Sequence, residues 1–206
     1  MIRILGRANS VNVQKVMWCA AELGTEVSRE DVGGTFGGNT TEDYLGKNPN
    51  GKIPTLIDGN FVLWESNAIV RYLCEAEGKA PWYPQSLQDR ASANQWMDWY
   101  LTSMHQHMTV IFWQLIRTAP DQRNMDAVKT ATEEAGKLWA MLDNYLSRKA
   151  FIIGDQPCMA DIPLGCAAYR WHEMDVDRPN LRNLRTWWER LAERPQYREH
   201  VMLPLT

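Results

Sequence analysis

The sequence has no excess of positive charge, because its 22 lysine and arginine residues are outnumbered by 25 aspartate and glutamate residues. Without a basic stripe along which a phosphate backbone could lie, we do not expect a nucleic-acid partner. The sequence also lacks an apolar run of about 18 residues, the length that a membrane-spanning helix needs, and a charged-then-apolar leader. We therefore expect a cytoplasmic protein that does not bind membranes.

Cysteine is scarce and scattered, with single residues at Cys19, Cys74, Cys158 and Cys166. None of them forms a C-x-x-C pair, and none has the spacing of metal ligands. This excludes a disulfide framework as the basis of the fold, and we expect no metal. Internal repeats are absent as well, whereas tryptophan is abundant, with ten residues that indicate broad aromatic packing.

The first part of the chain alternates between strand and helix patterns. Strands are predicted at residues 2–6, 26–32, 55–58 and 61–64, helices at 11–23 and 66–77, and a loop without regular structure at 33–41. Asp58-Gly59-Asn60 is a strong hairpin signal, and Gly24 and Gly78 end the two helices. This order is that of a thioredoxin-like α/β domain, which we place at residues 1–78.

The rest of the chain reads as helical. A linker is predicted at residues 79–86, which contain Pro81 and Pro84, and an all-α domain at residues 87–206. Between Met97 and Leu115 apolar residues recur at steps of three and four and predict one long helix. Further helices are predicted at 124–148, 159–173 and 180–193. At the start of the second of these, Asp161 lies in a capping box in which Cys158 replaces the usual serine or threonine.

Two motifs of the first domain specify a site. Asn48-Pro49-Asn50-Gly51-Lys52-Ile53-Pro54 delivers the chain to an Ile53-Pro54 bond at the mouth of a strand, a candidate for the cis isomer. Ten residues later Glu65 and Ser66 end another strand and open a helix, whose first N–H groups are free to bind a carboxylate. The sequence therefore predicts an anion-binding site beside a proline-capped sheet edge.

This pairing resembles the glutathione-binding site of the cytosolic glutathione transferases, and the two-domain plan is similar over almost the whole chain. The resemblance is to bacterial members of the serine or asparagine type, with phi-, theta- and beta-like features. It implies that Ile53 pairs through its backbone with the cysteinyl unit of glutathione. It also implies that Glu65 and Ser66 hold the γ-glutamyl end.

The segment between the first strand and first helix is predicted to hold the glutathione sulfur. Ser10-Val11-Asn12 is similar to the Ser-x-Asn step of the phi class, so Ser10 is the first candidate for thiolate donor and Asn12 the second. Making a thiol a hundredfold more acidic takes roughly 2.7 kcal/mol, and one charge-assisted hydrogen bond supplies about 1.5–3 kcal/mol. Alternatively, Ser10 is only a helix N-cap.

Three further assignments follow from the resemblance. Lys52 stands where phi-type sequences commonly have glutamine, and either reaches a glutathione carboxylate or is simply solvated. Asp98 is similar in place to a beta-class residue that contacts the partner subunit's glutathione, or is only an interface residue. The beta-class cysteine has no equivalent near Ser10, because Cys19 lies well inside the helix. The predicted electrophile pocket comprises Tyr100, His105, Phe112 and Trp113.

The resemblance thus implies a homodimeric glutathione transferase that adds glutathione thiolate to small hydrophobic electrophiles, with glutathione as co-substrate. Two alternatives stay open: a glutathione-dependent disulfide reductase or peroxidase, and a non-catalytic glutathione- or ligand-binding protein. The sequence names neither the electrophile nor the residues that bind the glycyl carboxylate, since residues 36–40 lack the His-Lys pair of the phi class.

Overall fold

A computed structural model describes all 206 residues. Its first part is a four-stranded mixed sheet in the order β2-β1-β3-β4, with β1 parallel to β2 and antiparallel to β3. Its strands and helices are β1 (Ile2–Leu5), α1 (Val11–Leu23), β2 (Val27–Glu30), α2 (Glu42–Lys47), β3 (Thr55–Asp58), β4 (Phe61–Trp64) and α3 (Ser66–Glu77). This is the predicted thioredoxin-like arrangement.

The second part is all helical. Its helices are α4 (Leu87–Trp99), α5 (His105–Phe112), α6 (Met125–Leu146), α7 (Asp161–Glu173), α8 (Arg182–Ala192) and α9 (Pro195–His200). Two five-residue segments with π-type hydrogen bonding, Tyr100–Met104 and Trp113–Arg117, follow α4 and α5, so the helical path continues from Leu87 to Arg117. Such π segments are frequent at functional sites. None of the helices combines the length and apolarity needed to cross a membrane.

Several local predictions were wrong in detail. The glycine-rich loop is not wholly irregular, because the amides of Phe36 and Gly37 bond back to the carbonyls of Gly33 and Gly34 and close one 3₁₀ turn. The six-residue helix α2 was not predicted, and neither was α9. Helix α7 begins at Asp161 rather than at 159, since the two residues before it form a turn.

One continuous apolar core joins the sheet part to the helical part. Trp18 of α1 is fully buried and packs edge-on against Trp82 and Tyr197. A Cβ at Gly165 of α7 would lie 3.1 Å from the Trp18 ring, so the absence of a side chain there allows α1 and α7 to approach closely. The core therefore fixes α1, which begins at the predicted site, against the helices that complete it.

One residue of the predicted linker, Trp82, belongs to this core. Trp82 is 4% exposed, and its carbonyl accepts a hydrogen bond of 2.9 Å from the Met159 amide. The Ala80–Pro81 peptide bond is cis, which was not predicted. The domain boundaries at 79–86 stay a prediction.

Candidate active site

Two adjoining cavities meet at the start of α1. One is lined by Ser10, Asn12, Tyr100, His105, Phe112 and Trp113, together with residues of α7. The other is lined by Asn12, Lys52, Ile53, Glu65, Ser66 and His105, together with Asn48 and Asn50. Asn12 and His105 belong to both. The structure thus brings together every predicted site residue except Asp98.

Ser10 occupies the N-cap position of α1 without making the usual capping bond. Its backbone is extended (φ −84°, ψ 124°), its carbonyl accepts from the Gln14 amide at 2.9 Å, and its hydroxyl bonds to no amide of the first turn. The residue is 9% exposed and lines the first cavity. The hydroxyl donates no hydrogen bond within the chain, so its hydrogen is available to a ligand atom in that cavity.

Asn12 is fixed by two donors. Its Oδ1 accepts from Lys15 Nζ at 2.9 Å and from Ser66 Oγ at 3.3 Å, and Lys15 Nζ also lies 3.4 Å from Ser66 Oγ. With the oxygen engaged on that side, the amide nitrogen of Asn12 is left as its donor. The first turn of α1 and the start of α3 are therefore joined by one polar network at the boundary of the two cavities.

The turn before β3 presents Ile53 to the second cavity. The Ile53–Pro54 bond is cis, as predicted. Tyr44 Oη and Asn48 Nδ2 both donate to the carbonyl of Lys52, at 2.6 and 2.8 Å, and both contact Thr55 Oγ1. No backbone hydrogen bond within the chain occupies the amide or carbonyl of Ile53. The turn thus holds an unpaired peptide edge in the cavity wall.

Glu65 and Ser66 connect β4 to α3. Glu65 is the one non-glycine residue with a positive φ (72°), and its side chain is exposed. A left-handed backbone at a side chain of this type is uncommon and concentrates at functional sites. Ser66 is 5% exposed, opens a twelve-residue helix and lines the second cavity. Both residues stand where an anionic ligand group would be favoured.

Asp98 lies outside both cavities. Its side chain is 61% exposed and forms an ion pair with Arg71 of α3. Within one chain it therefore contributes nothing to either cavity wall.

His105 is neutral at physiological pH in this environment. Burial, followed by the charges of Lys15, Arg170 and Lys52, lowers its pKa to about 4. Its Nδ1 lies 3.1 Å from the hydroxyl of Tyr100, whose pKa is raised by burial. His105 and Tyr100 thus form an uncharged polar pair between the two cavities.

Four basic residues of the site were not predicted: Arg7, Lys15, Arg117 and Arg170. Lys15 is fully buried with its Nζ 4.7 Å from the centre of the Tyr100 ring, and burial lowers its pKa to about 8. Lys15 and Arg170 are the two buried cations among these, and each could have been noticed in the sequence. Lys15 is a lysine on the apolar face of α1, four residues before Cys19, and Arg170 is the one charged residue within residues 164–171.

Family models match both parts of the chain. The glutathione S-transferase N-terminal domain matches residues 2–75, and the C-terminal domain matches residues 100–195. The chain is 36% identical to the glutathione S-transferase GstB of Escherichia coli K12 over the full length of both proteins. It belongs to the cytosolic glutathione S-transferase family.

Solved structures agree with this assignment. A theta class glutathione S-transferase from Xanthomonas axonopodis pv. citri, crystallised with glutathione bound, is 44% identical with a TM-score of 0.96, over 100% of this chain and 99% of that one. Glutathione transferase F2 from Populus trichocarpa, at 22% identity, 98% coverage of each chain and a TM-score of 0.90, shares the fold. The protein is accordingly a glutathione S-transferase.

Proposed function

We propose that this transferase binds glutathione across the second cavity with its sulfur at the boundary of the first, where Ser10 and Asn12 stabilise the thiolate. The hydroxyl of Ser10 supports this most directly, because it lines the first cavity and makes no hydrogen bond within the chain, so its hydrogen can be donated to the sulfur. The positive end of the α1 dipole adds to the stabilisation.

The rest of glutathione is assigned to the second cavity. Ser66 and the first amides of α3 bind the α-carboxylate of the γ-glutamyl residue, and Glu65 accepts from the α-amine of that residue. The unpaired peptide edge of Ile53 pairs with the cysteinyl unit. Lys52 stands at the same wall as a point charge for the glycyl carboxylate.

Catalysis then needs few further residues. The thiol loses its proton to solvent, and the Ser10 hydroxyl hydrogen and the Asn12 amide stabilise the anionic sulfur that remains. The electrophile enters the first cavity beside it. The sulfur lone pair forms the new S–C bond, and the leaving group departs with the electrons of the bond that breaks. His105, being neutral, is available as a hydrogen-bonding group but not as a cation.

Conjugation of 1-chloro-2,4-dinitrobenzene, followed by mass spectrometry of the product, tests the function. The thioether with release of chloride is the expected product. Formation of oxidised glutathione from cumene hydroperoxide, without any thioether, would instead identify a peroxidase, and tight glutathione binding without either product would identify a binding protein.

We further propose a two-fold homodimer that acts in cytoplasmic removal of electrophiles. The edge strand β4 exposes Phe61 and Trp64, at 47% and 36%. Asp98 and Arg71 form an exposed charged pair, which would lie at the subunit boundary and place Asp98 near the partner's glutathione. Sedimentation at micromolar concentration should give about twice the chain mass of 23.8 kDa.

A further inference from the structure

The first cavity, beyond Ser10, is lined by three arginines and by no acidic residue. Arg7 follows β1, Arg117 ends the helical path of α5, and Arg170 lies on α7. Three different parts of the chain thus direct a guanidinium to one small cavity. A cavity intended only for apolar electrophiles would not need them.

None of these arginines has a carboxylate partner within the chain. Arg170 is 9% exposed, its Nη2 reaches only the Asn9 carbonyl at 3.4 Å, and its Nε is buried without a hydrogen-bond acceptor. Arg7 donates to the side chain of Asn9, and its Nε is likewise unpartnered. Buried charged groups ordinarily have a counter-ion, so the donors left open here indicate one that comes with a ligand.

The guanidinium groups of Arg7, Arg117 and Arg170 carry like charges and repel one another. Burial lowers the pKa of Arg170 to about 10, and the nearby charges of Arg117 and Arg7 contribute to that lowering. For Arg7 the causes are the same, burial first and Arg117 second. An anion between these guanidiniums would relieve both effects at once.

Phe112 holds two of the guanidiniums at the cavity wall. The Arg170 guanidinium carbon lies 3.9 Å from the centre of the Phe112 ring, and that of Arg117 lies 5.6 Å from it. Stacking of this kind leaves the planar edges of the guanidinium free, and these edges match the two oxygens of a carboxylate.

From this arrangement we propose that the electrophile of this transferase bears a carboxylate, which Arg7, Arg117 and Arg170 bind in the first cavity. The proposal rests on the proposed function, since it concerns the second substrate of the same site. The carboxylate is not consumed. It positions the reacting carbon beside the thiolate, which forms the S–C bond while a halide leaves with the electrons of the carbon–halogen bond.

Matched electrophiles test the proposal by kinetics. The 4-(chloromethyl)benzoate and 4-(chloromethyl)benzamide pair, and the shorter chloroacetate and chloroacetamide pair, differ within each pair only in the charged group. Rates are divided by the uncatalysed reaction with glutathione. For at least one pair we expect the wild-type kcat/KM to favour the acid about ten- to hundredfold, as loss of a charge-assisted hydrogen bond implies.

Three variants assign the effect. Arg170→Met should reduce that preference at least about tenfold, and Arg117→Met, at an exposed position where misfolding is not expected, should reduce it by a smaller factor. Arg148→Met removes an exposed positive charge elsewhere and should leave the preference unchanged. Calorimetry with S-(4-carboxybenzyl)glutathione and its carboxamide, and with the S-carboxymethyl pair, should give the same order of affinity without turnover.

The outcomes separate this proposal from the function on which it rests. Conjugation of the acid and the amide at equal normalised rates in both pairs, with equal affinity for the matched conjugates, would overturn the carboxylate site but not the transferase. If Arg148→Met lost as much of the preference, the effect would come from overall charge, and the carboxylate site would be overturned too.

If Arg170→Met weakened glutathione binding and the reactions of both electrophiles equally, Arg170 would belong to the glutathione site instead. No thioether from any electrophile, including 1-chloro-2,4-dinitrobenzene, would refute both.

Discussion

Lys15 Nζ donates to Asn12 Oδ1 over 2.9 Å, so a fully buried ammonium orients the side chain that we assign as the second thiolate donor. The same nitrogen lies 3.4 Å from Ser66 Oγ. One cation thus organises residues from both the sulfur end and the γ-glutamyl end of the proposed glutathione site. Its burial costs stability, and its position serves binding.

Replacing this lysine should therefore separate stability from function. Lys15→Met keeps the length of the side chain and removes the buried charge, so we expect the melting temperature to be equal or higher. Glutathione affinity should fall about tenfold or more, because Asn12 and Ser66 lose a charged donor. Calorimetry and thermal unfolding measure the two effects. A lower melting temperature with unchanged affinity would contradict this assignment, and the exposed Lys129→Met is the control.

The same lysine predicts a pH dependence of stability. Its pKa is about 8 in the fold and 10.5 in the absence of burial, so between these values the unfolded chain binds more protons than the native one. Stability should therefore gain a contribution as pH rises from about 8 to 10.5. Buried cysteines and tyrosines with raised pKa values titrate over the same range, but they act equally in both proteins. In urea unfolding, the stability of the wild type should therefore rise relative to that of Lys15→Met across this range. Parallel curves for the two proteins would contradict the prediction.

His105 should not titrate in the working range of the enzyme. Because its pKa is lowered to about 4, the ring is already neutral at pH 5.5. The pH profile of kcat/KM between 5.5 and 7, below the range in which Lys15 loses its proton, should therefore show the thiol ionisation alone and keep its apparent pKa in His105→Gln. A second ionisation near pH 6.5 that disappears in the variant would show that the imidazole charges during catalysis.

Asp161 should be a major determinant of folding. Its carboxylate accepts hydrogen bonds from the amides of Ile152 and Cys158 and from the indole of Trp187, at 3.2, 2.8 and 2.7 Å. Asp161→Ala would leave three donors unpaired, and each costs about 1–3 kcal/mol. We expect a loss of at least about 3 kcal/mol in urea unfolding. Asp121→Ala, at an exposed position, should change little, and an equal effect of the two would contradict this role.

Much of the first domain could be predicted because its signals are local. Gly24 and Gly78 end α1 and α3 with left-handed backbones, and Asp58-Gly59-Asn60 turns β3 into β4, so these elements begin and end where predicted. By contrast, α2 follows a glycine-rich run and spans only six residues. It depends on the Thr41 cap and on bonds from Tyr44 to the turn before β3, which hydrophobic periodicity does not reveal.

The site was predictable where a motif defines it and not where packing does. Ser10, Ile53 and Ser66 lie in short motifs whose chemistry can be read residue by residue. Arg170 lines the first cavity because α7 packs against α1, and Lys15 contacts Ser66 because α1 packs against α3. A sequence does not state which face of a helix meets which neighbour. The predicted electrophile pocket of Tyr100, His105, Phe112 and Trp113 did not include Arg170 for the same reason.

The most direct test of the central proposal is the pKa of bound glutathione, read from thiolate absorbance near 240 nm as pH is varied. We predict a depressed value in the wild type, a rise in Ser10→Ala, a smaller rise in Asn12→Ala and the largest in the double variant, with Ser92→Ala as control. Calorimetry should show glutathione affinity nearly intact in Ser10→Ala, because the γ-glutamyl contacts persist. An unmoved titration in Ser10→Ala together with an upward shift in Asn12→Ala would assign the chemistry to the amide. If neither variant moved it, stabilisation of the thiolate by Ser10 and Asn12 would be contradicted.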